Sequence, residues 1–553
     1  MLLKIICLLV WCCCCVWAHR PNTFYFTQIS SAVNKSVDVI EGVAKTDAAW
    51  TARGYFDNKI NRTGFGYLEI ETNIKFDSQS QAYHAGYLEG FLTADLIYSR
   101  WHNTVRDWCK DDRENCEKID AFIDKNSKWI REKLKENGND PYWYQLELFY
   151  AQMSGMLEGY NINTKHEKLG ASDILWLNLM TEVGEIQLIN NQSSTPKRDT
   201  DHCSALVKIM PNNSDIYFGH VTWGEYAEML RILKKYVFHY RRSPQDPTLI
   251  AGFEMSMSSY PGTIVSVDDF YLISSGLAVM ETTNAVFNRS LYAGIKPEGI
   301  VWEEFRSMVS NRLAVDGKAW HEMFGKYNSG TYNNQWMVFD YNKFKKGKNL
   351  ESGALWVGEQ LPHYFTHKDL TNVLVEKGYW SSFNIPYFKD VYRMSGYEQK
   401  SNADGTWYSY TEAPRPKIFA RDQGKVHDMD SFMSLMRSND FSKDPFAACN
   451  CTPPYSAAGA IASRKDLNPA EGKGVQERKC AGATDAKLTN SELFKDLKFV
   501  AISGPTTGTD AMLPVFKWSE SPFQNRSHMS LPDEFNFHPV TYQWRYQQEI
   551  VFQ

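Results

Sequence analysis

The spacing of apolar residues changes character near residue 203. Before that point apolar side chains recur every three or four positions, which is the spacing of a helix that buries one face. After a strand-like run over residues 64–72, this spacing predicts helices over residues 79–108, 116–136, 142–158 and 172–189. We expect Ser172 to cap the last of these helices, with Asp173 in its first turn.

Beyond residue 203 the pattern changes to short alternating runs, which are typical of half-buried strands. The predicted strands cover residues 204–210, 216–221, 248–257, 262–267, 270–273, 276–283, 335–340 and 354–360. The predicted helices cover residues 302–324, 369–377 and 428–437. The stretch 453–486, rich in Gly, Ala, Pro and Lys, predicts a long surface loop. Together these elements favour an α+β fold, in which two antiparallel sheets pack face to face between helical layers.

Composition places the chain among folded globular proteins. Of its 553 residues 43% are apolar and 23% are charged, which excludes wholesale disorder. The net charge of −5 does not favour nucleic acid as a partner. The short basic runs over residues 234–235 and 343–348 are interpreted as solvated faces.

The first eighteen residues have the pattern of a secretory signal peptide. Lys4 supplies the positive charge, residues 5–17 form the apolar core, and Val16 and Ala18 precede an expected cut before His19. We therefore expect the mature chain to be secreted or to reside in the lysosomal lumen. No later run of eighteen apolar residues occurs in the sequence, so no transmembrane segment is predicted.

Seven Asn-X-Ser/Thr sequons predict glycosylated surface loops in a chain of the secretory pathway. They lie at Asn34, Asn61, Asn191, Asn212, Asn288, Asn450 and Asn525.

Six cysteines lie beyond the predicted signal peptide: Cys109, Cys116, Cys203, Cys449, Cys451 and Cys480. An oxidising compartment favours disulfides, and three bridges would use all six. The first two are close enough in sequence to bridge locally, and one further bridge is expected among the last three, with its pairing open. If Cys203 stays free, two bridges and two thiols remain.

Cys203 stands where a polar loop, residues 190–202, meets the alternating run 204–210. This setting favours an amino-terminal nucleophile, an enzyme that cuts itself immediately before its catalytic residue. The thiol would attack the carbonyl of His202, water would open the resulting thioester, and the freed α-amine, with a pKa of about 8, would act as the base. The alternative is a buried or bridged structural cysteine.

Five longer motifs carry a resemblance to a known family: DHCSALVKIM, IYFGHVTWGEY, SYPGTIVSVDDFYLISSGLAVMETTN, SGTYNNQWMVFDY and TEAPRPKIFARDQ. Together they resemble the phospholipase B-like family of lysosomal or secreted glycoproteins, which includes venom proteins. The resemblance implies the four-layer αββα fold of amino-terminal-nucleophile hydrolases. It also implies that Cys203 becomes the nucleophile when cleavage separates residues 19–202 from residues 203–553, and that both fragments stay together in one composite domain.

The resemblance extends to polar residues beyond the nucleophile. His220 and Trp223 match positions where related amidases place substrate-orienting groups, and Thr283 could orient the amine or a substrate oxygen. The alternatives are that His220 is a structural histidine and that Trp223 only packs in the pocket wall.

Two further motifs supply candidate polar groups. Asn333 and Asn334 lie where the fold places an oxyanion-hole amide, and which of the two faces the site is open. Arg415 matches a position where an arginine closes the site, and a structural ion pair is its alternative reading.

The family resemblance implies hydrolysis of acyl esters of glycerophospholipids or lysophospholipids. The same thiol chemistry cleaves amides, so an amidase or peptidase acting on a lumenal substrate is a second hypothesis. A secreted glycoprotein that acts by binding is a third. Because the sequence contains no metal-ligand motif and no phosphate-binding glycine loop, we expect a hydrolase without a cofactor or metal ion.

Overall fold

The computed structural model describes residues 24–29, 37–42, 50–191, 203–508 and 511–545. The predicted signal peptide at 1–18, the sequon at Asn34 and the predicted cleavage residue His202 lie outside these residues. Among the described helices, none has the combined length and apolar character that crossing a membrane requires.

The described residues form twenty strands, numbered here in chain order. They are β1 (Phe24–Ile29), β2 (Val37–Gly42), β3 (Ala52–Asn58), β4 (Phe65–Thr72), β5 (Cys203–Ile209), β6 (Ile216–Glu225), β7 (Arg231–Val237), β8 (Glu254–Ser259), β9 (Phe270–Ile273), β10 (Leu277–Thr283), β11 (Asn334–Asp340), β12 (Leu355–Leu361), β13 (Tyr364–Asp369), β14 (Tyr379–Ser382), β15 (Ala481–Ala483), β16 (Asp485–Asn490), β17 (Val500–Ser503), β18 (Phe516–Lys517), β19 (Glu534–Phe535) and β20 (Val540–Thr541).

The same residues form fourteen α-helices. They are α1 (Ile60–Thr63), α2 (Ser78–Leu92), α3 (Ala94–Thr104), α4 (Arg113–Glu136), α5 (Pro141–Asn163), α6 (Ala171–Asn190), α7 (Glu303–Leu313), α8 (Gly317–Phe324), α9 (Thr371–Lys377), α10 (Lys389–Met394), α11 (Tyr397–Asp404), α12 (Pro414–Asp422), α13 (Met429–Met436) and α14 (Ser491–Lys495).

Two sheets dominate the molecule. The larger has eleven described strands in the order β13-β12-β11-β10-β9-β8-β7-β4-β3-β1-β2. The smaller runs β14-β5-β6-β16-β17-β20, with β15 also paired to β6, and β18 pairs with β19 alone. Among the described strands the β4–β7 pair is parallel and every other pair is antiparallel.

Alternating side chains give each sheet a core on both of its faces. Val207 and Phe218 of the smaller sheet pack with Met280 of the larger sheet in a core that lies between them. Leu206, next to Val207 on β5, points the opposite way and packs with Phe432 of α13. The other face of the larger sheet packs against α2 to α8. The chain is therefore an α+β protein with antiparallel sheets and helices on the outer faces.

Helices α2 and α5 pack with their backbones in contact, and glycine permits it. Gly86 and Gly90 of α2 face the backbone of α5, and Gly155 and Gly159 of α5 face the backbone of α2. A Cβ atom at any of the four would overlap a carbonyl oxygen of the partner helix. These two helices cover the strands of the larger sheet that come from the first part of the chain.

The predicted strand over residues 262–267 is wrong. The segment is a buried turn in which Gly262 and Val267 have positive φ angles of 76° and 65°. Its carbonyl groups bind side chains instead of a neighbouring strand: Asn178 Nδ2 donates to the Gly262 oxygen at 2.9 Å, and Lys234 Nζ donates to the Thr263 oxygen. The prediction that Lys234 and Lys235 lie on a solvated face is therefore wrong, because both are buried within β7. Alternating apolar residues therefore line a turn here.

Three predicted elements are shorter or divided in the structure. The helix expected over 302–324 is α7 and α8, which separate where Asp316 caps α8 by accepting from the Ala319 amide at 2.7 Å. The helix expected over 79–108 divides into α2 and α3 at Thr93. Of the strand expected over 248–257, only the part from Glu254 onward is extended.

The predicted cap of α6 is also corrected. Gly170, not Ser172, occupies the capping position, and Asp173 Oδ2 accepts a hydrogen bond from the Gly170 amide at 2.8 Å. Asp173 does lie in the first turn, as expected. A carboxylate there satisfies the backbone and places negative charge at the helix amino terminus.

The stretch 453–486 is not a surface loop. Ile461 and Arg464 are buried, and Arg464 pairs with Asp466 at 2.8 Å while its Nη1 donates to the Thr506 carbonyl at 2.7 Å. The stretch contains β15 and the start of β16, which both pair with β6. The small residues of this stretch therefore allow close packing and do not indicate an exposed loop.

We expect Gly155→Ala to destabilise the protein by about 1–3 kcal/mol, because the added methyl forces the two helices apart. The measurement is the midpoint of chemical unfolding. Gly138→Ala is the matched control, since a Cβ there lies at an ordinary 3.5 Å from its nearest neighbour. Equal stability of the two variants would contradict the backbone contact.

Candidate active site

Cys203 begins β5 and faces the space between the two sheets. Its side chain is 4% exposed, and it is one of two free cysteines in the described part of the chain, with Cys480. Ala205, on the same face of β5, pairs with His220 of β6. Register therefore brings His220 beside Cys203, because residues two apart on a strand share a face.

Two side chains hold the backbone of Cys203. Its amide donates to Asn384 Oδ1 at 3.2 Å, and its carbonyl accepts from Arg415 Nη1 at 2.6 Å. Arg415 also donates to Asn384 Oδ1 at 2.7 Å, and Asn384 Nδ2 donates to the Thr283 carbonyl at 2.6 Å. The predicted residues Cys203, Thr283 and Arg415 are thus joined by Asn384, which the sequence analysis missed.

Trp223 forms part of the wall beside this network. The Arg415 guanidinium stacks over its ring at 4.4 Å, and Trp223 Nε1 donates to the Ile461 carbonyl at 3.1 Å. Ser204 Oγ donates to the same carbonyl at 2.8 Å. Trp223 therefore packs as a wall residue, and the buried stretch 453–486 supports it.

A small pocket opens beside these residues. Its volume is about 160 Å³, and its lining combines the polar residues Asn384 and Arg415 with aromatic side chains. The aromatic members are Trp223, Phe287, Phe383, Tyr397, Trp407 and Tyr408. A polar end next to an aromatic wall suits a substrate that carries both a polar group and an apolar chain.

Three chemically different side chains meet behind the pocket. One polar atom each of Cys203, His220 and Glu281 lie within 4.8 Å of one another, and all three residues are buried. His220 Nε2 lies 2.9 Å from the Glu281 carbonyl oxygen, so this nitrogen carries the proton and donates. Tyr332 donates its hydroxyl to Glu281 Oε1 at 3.1 Å.

Burial keeps these groups uncharged. Desolvation raises the pKa of the Cys203 thiol well above its usual value. Desolvation and Lys487 lower the pKa of His220 well below its usual range. The thiol therefore needs a base to react, and a neutral imidazole is present beside it.

Four buried charged groups form a balanced cluster next to β6. Arg231 pairs with Asp268 and lies 2.8 Å from Asp485, and Lys487 lies 3.0 Å from Asp485. Asp485 Oδ1 also accepts from the Thr222 amide at 3.1 Å. Although burial opposes ionisation, the charges of Lys487 and Arg231 lower the pKa of Asp485 to about 2, so two cations face two anions.

A second buried group of acids lacks such compensation. Asp269, Glu281, Glu303 and Glu304 are each completely buried. Desolvation raises the pKa of Asp269 to about 7. Desolvation and the charge of Asp269 raise the pKa of each of the three glutamates well above the usual value. These carboxyl groups therefore share protons at neutral pH.

Four residues with a positive φ angle lie around the same groups. Val267, Asp269, Tyr332 and Asn384 have φ angles of 65°, 51°, 50° and 63°, a region that side chains other than glycine seldom occupy. A β-branched valine there is a particular outlier. Such strain persists only where surrounding contacts enforce it, and it is typical of functional sites.

The predicted amides Asn333 and Asn334 are engaged in the structure. Asn333 Nδ2 donates to Glu185 at 3.2 Å and to the Gly330 carbonyl at 2.9 Å. Asn334 Nδ2 donates to Glu303 Oε1 at 3.2 Å. Both donors therefore already have acceptors.

Asn284 is different, and the sequence analysis missed it. It follows Thr283, it is 1% exposed, and neither its Oδ1 nor its Nδ2 has a hydrogen-bond partner among the described residues. A buried amide without a partner is costly, and such groups often await a ligand. Asn284 ends the quoted motif that closes with ETTN, but the sequence does not indicate that its side-chain amide lacks a hydrogen-bond partner.

The structure pairs four of the predicted disulfide cysteines. Cys109 is bonded to Cys116, and Cys449 is bonded to Cys451. Cys480 is buried and free. Two disulfides and two free thiols are the numbers expected above for the case in which Cys203 is not bridged.

All six described sequons present an exposed asparagine. They are Asn61, Asn191, Asn212, Asn288, Asn450 and Asn525.

Known proteins resemble this chain over most of its length. The Phospholipase B family model matches residues 52–542. The chain is 40% identical to "Putative phospholipase B-like 2" of Rattus norvegicus, over 88% of this chain and 85% of the relative. It is 38% identical to the human protein of that name, over 92% of this chain and 87% of the relative. It is 36% identical to "Phospholipase B-like protein B" of Dictyostelium discoideum, over 89% of this chain and 85% of the relative.

We expect the free energy of unfolding to fall as pH rises from about 4 to about 7. Asp269 has a folded pKa of about 7 against an ordinary 3.8, so the folded chain holds a proton in this window that the unfolded chain has lost. A pKa shift of about three units corresponds to at most about 4 kcal/mol of unfolding free energy. Chemical unfolding at both ends of the window measures the slope.

Asp269→Asn tests the assignment, because asparagine tolerates the positive φ and does not titrate. This variant should make the pH dependence less steep without abolishing it, because Glu281, Glu303 and Glu304 also have raised pKa values. Asp390→Asn, at an exposed position, should leave it unchanged. An unchanged slope in Asp269→Asn would contradict the role of this carboxyl group.

Proposed function

The chain belongs to the phospholipase B family, and on that basis we propose that it is a self-processing cysteine hydrolase that removes acyl chains from glycerophospholipids or lysophospholipids. The observation that carries the proposal is the position of Cys203, buried at the start of a strand with its backbone held by Asn384 and Arg415. We also propose that the two sheets and their outer helices are the αββα arrangement of amino-terminal-nucleophile hydrolases.

Self-cleavage would occur before Cys203. The thiol sulfur attacks the His202 carbonyl carbon, the bond to the Cys203 nitrogen breaks, and the thiol proton passes to that nitrogen. Water then breaks the thioester, leaving a carboxylate on residue 202 and restoring the thiol. The hydrogen bond from the Cys203 amide to Asn384 supports this step, because it would hold the departing nitrogen in place.

The two fragments would remain associated after cleavage. Strand β4 of residues 19–202 pairs with β7 of residues 203–553 over seven residue pairs within the larger sheet. Helices α2 to α6 of the first fragment pack on that sheet as well. Separating the fragments would therefore expose an edge and a large apolar core.

Turnover would use the new α-amine as the base. The amine takes the thiol proton, the sulfur attacks the acyl carbon, and the leaving alcohol receives the proton. Water, deprotonated by the same amine, then breaks the thioester and releases the fatty acid. Asn284 is our candidate donor to the oxyanion, because its amide is buried beside Thr283 and has no partner among the described residues.

Location and processing complete the proposal. The signal pattern at residues 1–18 and the exposed sequons support passage through the secretory pathway, with the lysosomal lumen or the extracellular space as destination. The names of the relatives support a hydrolase of this family. The aromatic pocket supports an acyl substrate.

We expect Cys203→Ala to leave the chain uncut between residues 202 and 203, because no nucleophile remains. Amino-terminal sequencing of bands on a reducing gel measures this. The native chain should give a second fragment that starts at Cys203, and Cys203→Ser should cut slowly. Normal cutting in the alanine variant would remove the self-processing proposal, and Cys480→Ala is the control for loss of a buried free thiol.

We expect Asn284→Ala to lower kcat by about 10²–10³-fold, the usual effect of losing one oxyanion donor, with little change in stability. Asn333→Ala should behave oppositely, because it removes hydrogen bonds to Glu185 and Gly330 and so lowers stability first. Kinetics and thermal unfolding of both variants separate the roles. Full activity in Asn284→Ala would exclude it as the oxyanion donor.

The substrate class is tested with paired esters and amides of the same acyl chain on the cut protein. Faster hydrolysis of the phospholipid ester, abolished by Cys203→Ala, is the expected result. Faster amide hydrolysis would identify an amidase or peptidase instead. If neither is turned over by a correctly cut chain, the glycoprotein acts by binding.

A further inference from the structure

The side chains of Cys203, His220 and Glu281 have the composition of a zinc site. They offer sulfur, nitrogen and oxygen, the three ligand types that Zn²⁺ uses in proteins. One such atom from each lies within 4.8 Å of the other two. In a tetrahedral site with bonds of about 2.0–2.3 Å, ligand atoms are about 3.5 Å apart. The three atoms therefore have to approach one another by up to about 1.3 Å to bind the ion.

The surroundings leave two potential metal-ligand atoms without a hydrogen bond. His220 Nε2 donates to the Glu281 carbonyl, and Tyr332 donates to Glu281 Oε1. The remaining atoms, His220 Nδ1 and Glu281 Oε2, are buried and have no hydrogen-bond partner among the described residues. A ligating histidine usually donates its other nitrogen to a carbonyl or carboxylate, which fixes its tautomer, and this is the arrangement at His220.

Charge balance also suits a divalent cation. Thiolate and carboxylate together offset the two charges of Zn²⁺, and the histidine ligand is neutral. The nearby cluster of Arg231, Lys487, Asp268 and Asp485 is balanced within itself, so it adds no net charge. A bound zinc ion would therefore leave the buried region close to neutral.

We propose that Zn²⁺ binds Cys203, His220 and Glu281 and thereby holds the hydrolase inactive. The metal displaces the thiol and carboxyl protons to solvent and forms a bond with the sulfur, whose electron pair is then unavailable to attack a carbonyl. A fourth position is left for water. Binding depends only on the three side chains, whereas inhibition rests on the function proposed above.

The test is titration of the purified full chain with Zn²⁺, and with Co²⁺ as a spectroscopic probe. We expect one ion per chain and a sulfur-to-cobalt absorption band. Cys203→Ser should remove the band and weaken binding by at least about tenfold, and His220→Gln and Glu281→Gln should weaken it similarly. Glutamine at these positions keeps the hydrogen bonds to the Glu281 carbonyl and from Tyr332.

Two controls make the result specific. Cys480→Ser removes the other buried free thiol and should bind zinc as the native chain does. Tyr332→Phe removes the hydroxyl that donates to Glu281 Oε1 and to the Val267 carbonyl, and it should weaken binding by about tenfold. In the unmodified protein, zinc should slow alkylation of Cys203 and not of Cys480, as read by peptide mass spectrometry. This measurement needs no variant that might misfold.

The outcomes separate the metal site from the proposed function. Absence of binding, or binding that Cys203→Ser leaves unchanged, overturns the site. If zinc binds and protects Cys203 in a chain that hydrolyses neither esters nor amides, the site stands and the proposed function fails. If the chain is active, saturating zinc should reduce its rate at least tenfold, and an unchanged rate would overturn the inhibitory role.

Discussion

The Asn384 side chain connects parts of the protein that the chain itself keeps far apart. Its amide binds the Cys203 amide of the smaller sheet, the Thr283 carbonyl of the larger sheet and Arg415 of α12. Because an amide has both a donor and an acceptor, one residue can satisfy all three groups. The positive φ of Asn384 shows that this position is enforced by its contacts. The position of the Cys203 backbone depends on it.

Burial of the site creates an electrostatic problem that the protein meets in two ways. Beside β6, cations and anions are paired, and Asp485 stays ionised. Around Asp269 and Glu281, where cations do not offset the acids, the carboxyl groups stay protonated instead. Mild acid does not change the charges of the paired groups, whereas it keeps the unpaired carboxyl groups protonated. The raised pKa values of these acids therefore contribute more stability in mild acid than at neutral pH.

Local sequence pattern was sufficient for much of the fold. Helix α4 follows from residue periodicity, because it buries one face along its length. The turn over residues 262–267 could not be predicted, since its carbonyls are satisfied by Asn178 and Lys234, which are distant in sequence. The buried stretch 453–486 was mistaken for a loop because small residues signal either flexibility or close contact.

The same distinction explains the candidate site. Cys203 could be found because its signal, a polar loop followed by a strand, is local. Asn384 and Glu281 reach it only through tertiary contacts, and Asn384 lies 181 residues away in the sequence. Glu281 belongs to a motif quoted above, but nothing in that motif indicates that its carboxyl group lies beside Cys203. Their contacts also give the site its chemical character. A neutral thiol beside a neutral imidazole and a protonated carboxyl is unreactive until something removes a proton. An α-amine would do so and produce a nucleophile, whereas a metal ion would do so and bind the sulfur that it frees. The proposed enzyme and the proposed metal site are therefore two consequences of one buried environment, because a deprotonated sulfur that binds a metal ion is no longer available to attack a carbonyl.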